Sequence, residues 1–369
     1  MTVSSRGARS PMRALVLHAV ADLRLDVVPR PEPAAGSALV RVGCCGVCGS
    51  DLPRIFTKGT YSFPRVCGHE FAGTVEAIGG DGEGVVAKAG AGASIAVGDR
   101  VAVFPLLWCG RCAACEVGKY VQCHDYDYLG SRSDGAFAEY VVAPLANLVR
   151  VPDGVSLEVA AMTEPAAVAL HAVRQGGGTR PGESAAIFGS GPIGLMVAQW
   201  LRAMGASDVL LFDIDAPKLD VARRMAFPHV FDSRERDPVE VVRELTGGNG
   251  AHLTFDGAGV PPALIQALAS ARRGGRVVLL GNPSADVTLP TALISQLMRR
   301  EVSIRGTWNS DYSACGNDDD WRTVLGAMAD RTLDLEPLIT HRVGLDAAIG
   351  LLEAMRDRRE FYSKVLVRP

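Results

Sequence analysis

No stretch of this 369-residue chain approaches the roughly 20 apolar residues needed to cross a bilayer, which excludes a membrane-spanning helix. Nor is there a basic run. The 38 Lys and Arg are balanced by 41 Asp and Glu, for a net charge of −3, so the electrostatic footprint of a nucleic-acid binder or an anionic-membrane binder is missing. An export signal is missing too, because residues 1–11 carry Arg6 and Arg9 but no apolar segment follows them. That stretch reads as a disordered lead-in and the protein as cytoplasmic. Its nine cysteines then call for metal chemistry before disulfides. Hydrophobic residues at 48% and charged residues at 21% are ordinary globular composition, and the length exceeds one typical core. Two domains are expected.

The first part of the chain reads as short β-strands broken by Gly and Pro, at 13–17, 38–43, 73–78, 100–104 and 136–142. With no long helical pattern between them, these suggest an open β-barrel or sandwich. Residues 79–97 are rich in Gly and Ala and read as a loop. From about Glu164 the pattern alternates. Strands are expected at 184–188, 209–212, 252–255 and 276–280, and helices at 192–204, 218–225 and 263–271. Such alternation is the signature of βαβ units on a parallel sheet. A last helix at 347–356 precedes a strand at 364–367, which has no place in a parallel sheet and is expected to pair back with the first domain.

Cys109, Cys112, Cys115 and Cys123 stand at spacing C-x2-C-x2-C-x7-C, with Gly110 and Gly118 between them. Four thiolates suit a tetrahedral zinc ion and leave no open position, so such a site is structural. Free or buried cysteines are the plainer account. A second constellation is scattered: Cys48 in Gly46-Val47-Cys48-Gly49-Ser50-Asp51, His69 and Glu70 in Cys67-Gly68-His69-Glu70, and Glu164 before Pro165. A thiolate, an imidazole and a carboxylate make a three-ligand zinc site with an open fourth position. Taken singly, Cys48 would serve equally as a small core residue, His69 as a hydrogen-bonded turn histidine, and Glu164 as a helix N-terminal carboxylate.

Gly189-Ser190-Gly191-Pro192-Ile193-Gly194 follows the expected strand 184–188 and opens the expected helix 192–204. In that context the glycines read as a dinucleotide fingerprint: Gly189 for the tight turn, Gly191 for approach of the diphosphate, Gly194 for helix–strand packing. The helix N-terminus offers N–H groups to phosphate. Asp213 ends the next strand, 19 residues beyond Gly194, where a carboxylate accepts ribose hydroxyls and repels a 2′-phosphate. NAD is expected rather than NADP, with Asp215 adding a second negative charge. A strand-end turn residue is the alternative reading of Asp213.

In order and in residues, the run from Cys48 to Gly73, the four-cysteine loop and the glycine motif resemble the zinc-containing medium-chain dehydrogenases over nearly the whole chain. The stretches Cys48-Gly49-Ser50-Asp51-Leu52-Pro53-Arg54-Ile55-Phe56, Gly68-His69-Glu70-Phe71, Gly130-Ser131-Arg132 with Asp134-Gly135, and Glu164-Pro165 with Leu170-His171-Ala172 are most similar to the sorbitol and galactitol-1-phosphate dehydrogenase branch. The resemblance implies an α/β protein with a GroES-like β-barrel catalytic domain, residues 1–163 with 309–369, and a Rossmann doubly wound parallel-sheet domain, residues 164–308. It implies two zinc ions per chain, the catalytic one on Cys48, His69 and either Glu70 or Glu164. Ser50 resembles the family's relay hydroxyl, while Pro53 stands where a relay histidine often occurs. Lys218 resembles the basic residue that lies along the adenine.

The implied reaction is reversible, NAD-linked oxidation of a secondary alcohol of a polyol or polyol phosphate to the ketose, by a homodimer or homotetramer. The alternative is a cyclitol or aminocyclitol dehydrogenase of secondary metabolism with the same zinc and NAD chemistry. Composition rich in Arg, Ala, Gly and Val fits the high-GC genomes where such pathways occur. Arg54, Lys58 and Arg132 are candidates for a substrate phosphate, or else plain surface charges. Trp308 and Tyr312 resemble a segment lining the family's substrate cleft, and core packing or a subunit contact is the alternative. Cys44, Cys45, Cys67 and Cys315 read as buried small residues, and His171 as a structural hydrogen-bonding group.

Overall fold

A computed structural model of the chain describes residues 10–80, 87–88, 94–314, 316 and 318–369. The N-terminal lead-in to residue 9, residues 81–86 and 89–93 of the expected loop, and Cys315 lie outside the described residues. The chain forms two compact units. One comprises Met1–Glu164, Tyr312–Ala329 and Ile339–Pro369, and the other Pro165–Asp311 and Asp330–Leu338. The expected division ran unbroken from 309 to 369. The structure differs at Asp330–Leu338, because Leu333 and Leu335 are buried and the Asp334 amide donates to Gln199 Oε1 at 2.9 Å.

The first unit is built on a seven-stranded sheet in which Ser37–Gly46 is central. This strand pairs antiparallel with Glu70–Ile78, Tyr140–Pro144 and Lys364–Arg368. Ala38, Val40 and Val42 share one face of it and enter a core with Leu15, Phe71 and Phe137. The C-terminal strand does return: Leu366 pairs with Gly46 and Val367 with Cys45, and on its other side the strand runs parallel to Ile339–Gly344.

Three expectations for this unit need correction. The strand expected at 136–142 is seen only from Tyr140 to Pro144. Before it, the Ala136 and Phe137 amides donate to the Gly68 and Cys67 carbonyls, outside any regular ladder. The strand expected to reach residue 104 stops at Val103, since the Phe104 amide turns aside to the Asn147 carbonyl. Within the expected loop 79–97, Ala87–Lys88 pairs with Ser94–Ile95 as a small antiparallel ribbon.

In the second unit six strands lie parallel, in the order His229–Asp232, Asp208–Asp213, Ser184–Phe188, Ala251–Asp256, Ala271–Leu279, Ser303–Gly306. That order is 3-2-1-4-5-6, with the switch point between the first strand and the fourth. Ser184–Phe188, at the centre of the sheet, is buried throughout, as both faces of a parallel sheet are covered. The helix expected at 263–271 instead spans Pro261–Ser270, with proline in its first turn, and Ala271 already begins the next strand. Among the described residues no helix is long and apolar enough to cross a membrane.

The return strand anchors the barrel, and Leu366 within it is fully buried. Leu366→Ala should cost about 2–5 kcal/mol through lost burial and the cavity left behind, read as a lower urea midpoint for unfolding.

Candidate metal centres and nucleotide loop

Pairing of Gly46 with Glu70 brings the end of one barrel strand beside the start of another. The chain leaving Gly46 therefore carries Cys48 toward His69 and Glu70. One ligand atom from each of these three residues lies within 4.8 Å of the others. Asp51, fully buried, joins the pieces. One carboxylate oxygen accepts the Cys48 amide at 2.9 Å; the other accepts Arg54 Nη1 at 2.6 Å and lies 3.6 Å from His69 Nδ1. Burial opposes charge on His69, but the Asp51 carboxylate and Cys48 outweigh it and raise its basicity, which favours electron donation to a metal.

The S, N, O donor set of Cys48, His69 and Glu70 suits zinc with an open position. Glu70 also meets the buried Lys364 ammonium, whose Nζ donates to the Val47 carbonyl at 3.2 Å. Burial works against that ammonium, yet Glu70 and Cys48 keep its pKa above the ordinary lysine value.

Glu164 lies outside the three-residue cluster. It accepts the Tyr128 hydroxyl at 3.1 Å, and its pKa is pushed up to about 7, chiefly by burial and further by Glu70, against the opposing pull of His69 and Lys364. Ser50 is exposed, and its amide donates to Cys48 Sγ at 3.5 Å.

The four-cysteine loop closes on itself. A short helix, Ala113–Glu116, starts from Cys112, and a single 3₁₀ turn, Tyr120–Gln122, delivers Cys123. All four sulfurs lie within 4.8 Å of one another, with Cys112–Cys115 at 3.5 Å and Cys109–Cys115 at 4.0 Å. A tetrahedron with Zn–S bonds of about 2.3 Å sets its sulfurs about 3.8 Å apart, so the loop fits the ion. Backbone N–H groups of Cys115 and His124 lower the Cys112 pKa to about 6, toward the thiolate a metal needs. Trp108 stacks on Tyr120 at 4.2 Å and braces the loop.

In the second unit, Gly189 has φ +117°, and a Cβ there would meet backbone of Gly257 and Ala258 at 2.9 Å. A Cβ on Gly194 would lie 2.0 Å from the Gly189 carbonyl oxygen, whereas one on Gly191 would meet no described atom within 4 Å. The first and third glycines therefore serve the turn and the packing. Space is left at the second, at the N-terminus of the helix Pro192–Ala203, where a diphosphate would approach. Pro192 and Ile193 form the first turn of that helix. Asp213 has a further role that its spacing did not reveal. Its carboxylate accepts the amides of Ser190, Ile214 and Asp215 at 2.8, 2.8 and 3.0 Å and so ties the glycine loop to the next strand. Lys218 Nζ lies 4.0 Å from Asp213 and 3.8 Å from Asp215.

Other expectations divide. Tyr312 does not line a cleft: it is buried, stacked on Phe104 at 4.2 Å, with its hydroxyl donated to the Ala146 carbonyl at 2.6 Å. Trp308 is exposed. Cys44, Cys45 and Cys67 are buried, and His171 lies 3.3 Å from Gln175. Arg54 is engaged by Asp51 and Lys58 is exposed, while Arg132 lies against two tyrosine rings. Asp51, Tyr128 and Lys364 went unassigned from sequence. The one signal available was the lysine heading the apolar run Lys364–Arg368.

Gly194→Ala should lower thermal stability by about 1–3 kcal/mol, since the new methyl meets backbone that cannot yield. Calorimetric unfolding would measure this, and nicotinamide dinucleotide affinity should fall with it.

Two family models match the chain: the alcohol dehydrogenase GroES-like domain over residues 34–153 and the zinc-binding dehydrogenase over residues 192–330. Galactitol 1-phosphate 5-dehydrogenase of Escherichia coli strain K12 is 35% identical over 89% of this chain and 92% of its own. Sorbitol dehydrogenase of Bacillus subtilis strain 168 is 32% identical over 97% of both chains. The crystal structure of the E. coli galactitol-1-phosphate dehydrogenase superposes with a TM-score of 0.87 at 32% identity, covering 97% of this chain and 100% of that one. Similar solved chains hold either nicotinamide dinucleotide. An alcohol dehydrogenase of E. coli CFT073 carries NADH (27% identity, TM-score 0.84, 98% and 100% covered), and a chain of Sinorhizobium meliloti 1021 carries NADP (28%, 0.86, 98% and 100%). The barrel unit, the 3-2-1-4-5-6 sheet and these matches agree: the chain belongs to the zinc-binding, nicotinamide-dependent medium-chain dehydrogenases, in the branch of the galactitol-1-phosphate and sorbitol dehydrogenases.

Proposed function

We propose that this dehydrogenase oxidises a secondary alcohol of a polyol or polyol phosphate to the ketose, reversibly, with NAD as hydride acceptor and two zinc ions per chain. The observation that carries the reading is the convergence of the Cys48, His69 and Glu70 ligand atoms within 4.8 Å of one another. These three residues would hold the catalytic ion, and Cys109, Cys112, Cys115 and Cys123 the structural one. When bound, the catalytic zinc supplies Lewis acidity that lowers the pKa of a substrate hydroxyl, and NAD supplies the hydride acceptor.

The chain's own residues do the rest. Asp51 orients His69 and braces the Cys48 turn. Lys364 faces Glu70 as its counter-charge. Glu164, steadied by Tyr128 and pushed up to about 7, can hold or release a proton at its carboxyl oxygen near neutral pH. Ser50 offers an exposed hydroxyl for proton transfer, and Pro53 leaves no histidine to continue that relay. Gly189, Gly191 and Gly194 with the helix N-terminus receive the diphosphate. Asp213 and Asp215 disfavour a 2′-phosphate, which supports NAD over NADP. A homo-oligomer is supported by the sheet edge: Ser303–Gly306, with Ile304 in it, is exposed along its length, and Ile294 and Met298 are exposed on the helix Thr291–Arg300.

The first test is NADH formation with galactitol 1-phosphate, sorbitol, xylitol and a cyclitol, with and without a zinc chelator. Turnover of an acyclic polyol, abolished by the chelator, is expected. Turnover of the cyclitol alone would move the substrate to the ring-shaped class. Elemental analysis should find two zinc ions per chain, and one in Cys112→Ser; a single ion in active wild-type protein would overturn the two-site reading. Asp213→Ser should shift the kcat/KM ratio toward NADP by about tenfold or more, read by parallel assays with the two cofactors.

A further inference from the structure

Tyr128 belongs at once to the four-cysteine loop and to the candidate metal centre. The strand Asp127–Tyr128 pairs antiparallel with Leu106–Leu107, Tyr128 standing opposite Leu106. These two residue pairs are the stem of the loop. Cys109 lies two residues beyond Leu107 and Cys123 four before Asp127, and the Cys109 amide donates to Cys123 Sγ at 3.3 Å across the mouth of the loop. So short a ladder is marginal by itself. An ion held by Cys109 and Cys123 closes the loop immediately outside the stem and removes the entropy that would open it.

The other end of Tyr128 reaches the centre. Its ring stands edge-on to His69 at 5.8 Å, and its hydroxyl donates to Glu164 Oε1 at 3.1 Å. Glu164 is buried, and no other group among the described residues donates to its carboxylate. A carboxylate has about four acceptor sites, and a buried one with a single neutral donor is poorly compensated. Besides burial, His69, Glu70 and Lys364 all act on its charge, so it lies beside the Cys48, His69 and Glu70 cluster without joining it. Three ligands there leave zinc one position short of four. Glu164 is the carboxylate at hand to take that position, and in doing so it would close the site as four thiolates close the other.

We propose that Tyr128 is a positioning residue set by the four-cysteine loop: its hydroxyl holds Glu164 off the ion on Cys48, His69 and Glu70 and so keeps a coordination position open. This rests on the two-zinc reading above and deepens it, because occupancy of the loop then governs access to the centre. Phenylalanine at this position would keep the ring against His69 and remove the donor. Glu164, left buried without a hydrogen bond, would then gain most by ligating the ion.

The test uses full-length protein with zinc in the cysteine loop and cobalt(II) at the other centre, identified by visible bands that Cys48→Ser abolishes. Imidazole, a neutral ligand for an open position, is titrated against those bands, and wild type should bind it. In Tyr128→Phe its affinity should fall about ten- to a hundredfold, the worth of a charge-assisted hydrogen bond, and Y128F/E164Q should recover it. Cys112→Ser, shown by elemental analysis to lack the loop ion, should give the same loss and the same recovery with E164Q. Glu164→Gln alone should leave imidazole binding within about threefold of wild type. A gain of about tenfold in E164Q would mean that Glu164 already ligates and would sink the proposal, a readout that stands even where Y128F fails to fold. Undiminished imidazole binding in folded Y128F or in loop-emptied C112S, or a loss that E164Q does not restore, equally overturns it. Cobalt bands that are absent, or that imidazole leaves unmoved in wild type, would instead remove the open-site zinc reading, and with it the ion from which Glu164 is held.

Discussion

The candidate metal centre depends on one buried carboxylate. Asp51 has no exposure to solvent, and an isolated carboxylate so placed would be strongly destabilising. Burial favours its neutral form, yet His69, Arg54 and the Cys48 amide together keep its pKa below the usual carboxylate value. Those partners come from a strand end, a turn and a short helical segment, so the need to stabilise one charge fixes the mutual position of all three. Lys364 and Glu70 repeat the principle across a longer sequence separation. The return strand that completes the barrel also delivers the ammonium that faces Glu70. Folding of the first unit and assembly of its candidate site are in this sense the same event.

The two metal constellations rest on different physics. The four-cysteine loop is local: 15 residues, a short helix and a single 3₁₀ turn suffice to gather four sulfurs, and no long-range pairing is required. The Cys48, His69 and Glu70 group is assembled by strand register, through the pairing of Gly46 with Glu70, and needs the barrel to exist. The nucleotide loop lies between these extremes. Its glycines are consecutive with a strand and a helix, but the carboxylate of Asp213 crosses from the neighbouring strand to hold Ser190. One residue thus joins the loop's shape to the surface on which a ribose would be read.

Periodicity made the parallel sheet legible, because strands buried on both faces and separated by amphipathic helices leave an unmistakable alternation. Ser184–Phe188 was readable to the residue, and Asp208–Asp213 and Ala251–Asp256 to within one at their N-terminal ends; the Ala271–Leu279 strand begins five residues earlier than its pattern suggested, and His229–Asp232 and Ser303–Gly306 were not read as strands. Legibility was poorer where pairing is irregular. The stretch before Tyr140 bonds to a loop and only then enters the ladder, and Asp330–Leu338 joins the second unit through buried leucines and an amide bond to Gln199. Tyr312 shows the limit for side chains, since an aromatic in a family-like segment proved to be core, stacked on Phe104.

By itself the sequence determined the fold class, the four-thiol loop and the glycine turn, because each is encoded in local periodicity or in spacing over a few residues. Tertiary structure alone decided that Glu70 joins Cys48 and His69 while Glu164 is drawn to Tyr128. It alone identified Asp51 and Lys364 as the charges that hold the site. The physical reason is common to all of these. Burial, register and charge compensation belong to groups brought together from distant parts of the chain, and no spacing rule records which partner each group will meet.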